Sequence, residues 1–186
     1  AKEAAQNAVE TAQDAVNKLK ETSEEIKKLK DELDTAIKEN KSLSEIQQIA
    51  QKIKEKAQEA NQLAIDARKA ALAAQSAAAA HQSSAEIQAL DQEAEKQAAD
   101  ASKIKAAINT VATEAQKSVD ALIKLEEAQE AKDKISKEVD PIIAEYIQKY
   151  SGDSKDTYSA LMENIKTAFL AQYTGDVSGV RAAFET

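Results

Sequence analysis

The chain has no cysteine, no tryptophan, one proline, three glycines, and only four tyrosines and two phenylalanines in 186 residues. Each scarcity excludes something. Without cysteine there is no disulfide framework, no thiolate nucleophile and no thiolate metal site; this fits a reducing compartment and equally a secreted protein that needs no staples. So few glycines and prolines cannot supply the turns of a sheet protein this long, which leaves helix as the only regular structure. Glycines standing singly at Gly152, Gly175 and Gly179 cannot build a phosphate-cradling loop. His81 is the only histidine, so neither a multi-histidine metal site nor the paired E-x-x-H of a di-iron bundle can form. No apolar run approaches the roughly 20 residues of a membrane span, and no signal peptide stands at Ala1. A trimmed ectodomain is expected to have lost its targeting segments.

What is present is charge and alanine. Charged residues make up 31% of the chain with a net charge of −8, and roughly a fifth of it is alanine. Lys27, Lys28 and Lys30 are flanked by Glu24, Glu25, Asp31 and Glu32, a solvated face and not the basic footprint that nucleic acid requires. Mixed, net acidic polar faces also argue against lying on an anionic membrane.

From Lys2 to Glu39, Ala5, Val9, Ala12, Val16, Leu19, Ile26, Leu33 and Ile37 recur every three or four residues and predict one amphipathic helix, with Ser23 and Lys30 interrupting its seam. Glu24 with Lys28 and Asp34 with Lys38 are expected surface pairs. Ser42 three residues before Glu45 is a capping box that starts a second helix. Its seam alternates without a break through Ile46, Ala50, Ile53, Ala57, Ala60, Ala64, Ala67, Ala71, Ala74 and Ala78. The seam is therefore thick at one end and methyl-sized at the other. Ser83 and Glu86 repeat the capping-box spacing after His81, which places a second turn there; the alternative is one rod running on. The third helix carries Ile87, Leu90, Ala94, Ala101, Ile104, Ile108, Val111, Ala115, Leu122 and Leu125, and its start is expected to face Ala71, Ala74 and Ala78.

Asp140-Pro141 has the form of an N-cap with proline at the first helical position, so a short fourth helix is predicted from there to Tyr150. A last helix carries Tyr158, Leu161, Met162, Ile165, Ala168, Phe169 and Tyr173 on one face, followed by a turn and a short or frayed tail to Phe184. The expected fold is all-α: one domain, residues 1–186, an elongated antiparallel bundle of three long heptad-patterned helices with shorter C-terminal helices capping one end.

No catalytic, cofactor-binding or metal-ligating set emerges. Acid pairs such as Glu55 and Glu59 fall on a solvent face, whereas acid-base work needs a desolvated carboxyl group, and an enzyme is not expected. Two features bear on partners. Asn40-Lys41-Ser42 is a glycosylation sequon in a loop. All aromatics lie from Tyr146 onward, so Tyr146, Tyr150, Tyr158, Phe169 and Tyr173, with Phe184, form a candidate interaction patch or else bury the overhang of the third helix.

Absence of cysteine, abundant alanine and glutamate, long heptad helices and trailing short helices together resemble the glutamic acid/alanine-rich surface coat proteins of trypanosomes. That family is similar in architecture to variant surface glycoproteins. The resemblance covers the whole chain through composition and architecture, with no short motif. It implies a non-enzymatic glycoprotein held on the cell surface by a C-terminal glycolipid (GPI) anchor, packed among neighbouring coat molecules to shield the cell, and it carries over no catalytic residue. Any membrane attachment is then expected through an anchor outside these residues. The alternative is a helical-bundle receptor, or a cytoplasmic coiled-coil scaffold, that binds a protein partner through its aromatic C-terminal end.

Overall fold

The computed structural model describes all residues from Ala1 to Thr186 and contains no strand. Three long helices, α1 (Lys2–Lys38), α2 (Leu43–Ala80) and α3 (Ala85–Tyr150), are followed by α4 (Lys155–Gln172), a 3-10 turn (Val177–Gly179) and α5 (Val180–Phe184). The chain divides into two compact units, Ala1–Ala121 and Leu122–Thr186. Helix α3 contributes residues to both.

In the first unit the three long helices run up, down and up. Ala5 packs with Ala78 and Ile87, and Ala8 packs with Ala71, Ala74, Ala94 and Ala98. Farther along, Lys56 pairs with Glu25 at 2.8 Å and Asn109 donates to Asn61 at 3.2 Å. Rising numbers in α1 thus meet falling numbers in α2 and rising numbers in α3. Lys2 pairs with Glu86, so with the common helical rise α1 runs out level with about residue 122 of α3, where the first unit ends.

The α2 seam is buried as the periodicity predicts, from Ile46 and Ile53 to Ala74 and Ala78, with only Ala64 partly exposed. Helix α1 buries more than one stripe. Ala8, Ala15, Thr22 and Ala36 join the predicted seam, while Val9 and Ile37 are only partly covered. The reason is that α1 faces two helices and needs a face wider than a single a/d row. Thr22 is tolerated inside because its hydroxyl donates to the Lys18 carbonyl at 2.9 Å.

Local chemistry sets the turns. The Ser42 hydroxyl accepts from the Glu45 N–H, and the Glu45 carboxylate accepts from the Ser42 N–H at 3.1 Å, which completes the capping box. At the second turn the helices separate, so the continuous rod is excluded, and Ser84 is the residue that caps. The predicted partner Glu86 then lies one position too early for a box and pairs with Lys2 instead. The surface pairs also differ in register. Glu24 binds Lys27 and Asp34 binds Lys30, both equally accessible helical neighbours.

The second unit corrects the expected start of a fourth helix at Asp140. Helix α3 passes through Pro141 without ending, although proline removes one backbone donor and crowds the preceding turn at a cost of about 3 kcal/mol. Val139, Ile142 and Ile143 bracket it and are almost fully buried against Met162 and Val180. Each such side chain contributes roughly 1.5 to 3 kcal/mol when buried, so packing on both sides of the proline outweighs the local penalty. Pro141 and Lys137, the residue whose carbonyl loses its donor, are both exposed. Leu125, predicted as seam, is 67% exposed, and every residue from Lys124 to Lys134 is exposed. Cover from α4 and α5 begins only at Ile135.

Candidate functional site

The predicted aromatic patch lies in the second unit, around the five-residue core of Val139, Ile142, Ile143, Met162 and Val180. Tyr146, Tyr158, Phe169, Tyr173 and Phe184 pack against that core, half-buried. The Phe169 ring stacks on Tyr173 at 4.8 Å between centroids and meets the edge of Phe184 at 5.2 Å. Tyr150 stands apart. Its ring touches Tyr146 at 5.6 Å but it remains 55% exposed, with Lys149 above its face.

The tail beyond α4 is folded, not frayed. The Tyr173 hydroxyl donates to the Asp176 carbonyl at 2.7 Å, and the Asp176 carboxylate accepts from the Gly179 N–H and the Ser178 hydroxyl. A β-carbon at Gly175 or Gly179 would stand 2.4 or 2.7 Å from the Tyr173 hydroxyl oxygen. Glycine at both positions is what lets the ring lie across the turn. Arg181 then donates to both oxygens of Glu145 on α3, and Lys166 of α4 pairs with Asp140. These two ties draw α4 and α5 onto α3, and neither was legible in the sequence, because charges 26 and 36 residues apart leave no local pattern.

Asn40 is exposed and adopts a left-handed backbone with φ of 53°. Its N–H donates to Ile37 and that of Lys41 donates to Ala36, the Schellman arrangement that ends a helix and in which asparagine is the usual substitute for glycine. The sequon therefore has a structural use as well as an accessible side chain. His81 is exposed at the C-terminus of α2, and no three histidine, aspartate or glutamate residues cluster to hold a metal.

Among ionisable groups, the shifts have simple surface causes. Glu45 is held below the usual carboxylate range by the Ser42 hydroxyl and then its N–H, Glu86 by Lys2, and Glu145 by Arg181. The buried polar residues are Thr22 and Gln97, and Oδ1 of the half-buried Asp91 is shut off from solvent without a hydrogen-bond partner. The concave places are open grooves between helices. One lies between α2 and α3 at Ile65, Arg68, Lys69, Ala98, Ala99 and Lys105, and another lies between α1 and α2 around Leu29 and Lys56.

The fold defines an all-α protein built on an antiparallel three-helix bundle with shorter C-terminal helices. Compared with protein-family models, curated proteins and solved structures, the chain matches none.

Proposed function

We propose that the chain is a non-enzymatic coat protein that stands in a dense protective layer on a cell surface, attached through a lipid anchor outside these residues. The observation that carries this is the core of the first unit. Ala5, Ala8, Ala12, Ala15, Ala67, Ala71, Ala74, Ala78, Ala94 and Ala98 are all buried there, and methyl-sized side chains let helices approach closely. Such a seam leaves no room for a ligand or cofactor. A net charge of −8 favours solubility at high local concentration. The test is labelling of intact producing cells with a membrane-impermeant amine reagent. Surface labelling is expected; recovery of the protein only after lysis overturns the proposal.

Leu161 and Ile165 on α4, together with Tyr150, are large apolar side chains left exposed in the second unit, and they favour the alternative of a receptor or scaffold with a protein partner at that end. Photo-crosslinking from position 161 in producing cells distinguishes the two. Capture of one partner protein supports the receptor, and capture of none counts against it.

A further inference from the structure

The groove between α2 and α3 has a floor of small side chains, Ala64, Ala98, Ala99 and Ser102, beside Ile65. Ile65 is 49% exposed, and Leu72, two helical turns along the same face of α2, is 48% exposed. Arg68, Lys69 and Lys105 stand on the rim against one acid, Glu95. None of these three bases forms an ion pair, whereas the neighbouring Lys96 and Lys103 pair with Glu93 and Asp100. A rim of three unpaired bases against a single acid, beside an aliphatic stripe, is unusual in a chain of net charge −8.

The exposed stretch of α3 from Lys124 to Lys134 has the complementary character. Leu125 is its large apolar side chain, 67% exposed. Glu126, Glu130 and Asp133 follow at helical spacing along one edge of the Leu125 face, and none of them makes a salt bridge; Asp133 only accepts from Gln129 at 2.8 Å. Lys132 is the one base on the Leu125 face, as Glu95 is the one acid on the rim.

We propose that the α2/α3 groove of one molecule receives the Leu125–Asp133 stretch of α3 from a second copy of this chain. Leu125 lies over the alanine floor beside Ile65 and Leu72, and Glu126, Glu130 and Asp133 meet Arg68, Lys69 and Lys105. Groove and stretch are different surfaces, so the contact is heterologous and each molecule offers one of each. The contact joins one groove to a short stretch of a single helix, so association is weak, on the order of micromolar, and falls as salt screens the charges. This self-association does not depend on the cell-surface proposal, since it is a property of the purified chain.

Sedimentation equilibrium of the full chain tests it. The parent associates at low salt and dissociates in about 0.5 M salt. Arg68→Glu with Lys69→Glu weakens association at least tenfold, and adding Glu126→Lys with Glu130→Lys in the same chain restores it to within about threefold. All four positions are exposed, so circular dichroism should show unchanged helix content in every variant. A parent that stays monomeric up to about 1 mM, association indifferent to the Arg68 and Lys69 reversals, or a reversal that the Glu126 and Glu130 changes fail to rescue would each overturn the proposal.

Discussion

Asn40 and Ser42 illustrate how single residues close the first turn. Asn40 takes the left-handed conformation that a β-carbon makes costly, and Ser42 satisfies orphan amides at the start of α2. Replacement of Ser42 by alanine is expected to lower stability by about 1 kcal/mol, read as a fall in the urea midpoint without a change in slope. Asn40→Gly should leave that midpoint nearly unchanged because glycine accepts the same φ. It therefore removes the glycosylation acceptor without disturbing the fold, which Ser42→Ala does not. The alanine seam has its own residue-scale test. Ala74 is fully buried among Ala8, Ala71, Ala94 and Ala98, and leucine there overpacks the cluster, with an expected loss of about 1 to 3 kcal/mol in the same urea titration. Of these features the Ser42 box was legible from spacing alone, while Ser84 was displaced by one residue from the predicted cap, since two adjacent serines offer the same chemistry.

At the scale of the element, α3 carries the main differences between pattern and structure. Its Asp140-Pro141 pair has the local signature of a helix start, yet the helix continues because Val139, Ile142 and Ile143 are buried together. Pro141→Ala retains that packing and returns the missing backbone donor, so the second unit should gain about 2 to 3 kcal/mol, measured by chemical denaturation. No gain would mean that the proline is accommodated without strain. The Lys124–Lys134 stretch makes the opposite case. It is helical by its own hydrogen bonds and side-chain neighbours, with no tertiary cover. Hydrogen exchange should be faster at its amides than in the buried stripes of α1 and α2, because opening it exposes almost no apolar surface. Equal protection would show that cover is supplied in solution, as by the second copy proposed above.

For the whole molecule, the acid response follows from charges spread over both units. Glu24, Glu45 and Glu86 in the first unit, and Glu145 and Asp176 in the second, are all held below their ordinary values by hydrogen bonds, from Lys27, Ser42, Lys2, Arg181 and Ser178 respectively. A carboxyl group with a lower pKa in the folded than in the unfolded chain stabilises the fold fully above its unfolded pKa and loses that contribution as pH falls through the folded value. The melting temperature should therefore be level near neutrality and fall with acidification through and below the usual carboxylate range. These groups are solvent-exposed, so the decline is gradual and is shared among many sites. A melting temperature that rises on acidification would contradict the assignment of these pairs as stabilising.

The sequence by itself determined the all-α class, the seams of the long helices, the methyl-sized end of the second seam and the capping box at Ser42. Those features depend on periodicity and hydrogen bonds that act within a turn or two of the chain. Only the tertiary structure decided that α3 runs through Pro141, that Leu125 is left in solvent, and that Arg181 and Lys166 tie the C-terminal helices to Glu145 and Asp140. Leu122 and Leu125 continue the heptad perfectly well in the sequence. Whether a seam residue is buried depends on where its partner helices stop, and α1 stops at Lys38, level with the end of the first unit. Likewise the aromatics from Tyr146 onward could have formed either a patch or a core. Val180 and Phe184, returning from the far side of a glycine-permitted turn, packed most of them against Met162 and left Tyr150 outside.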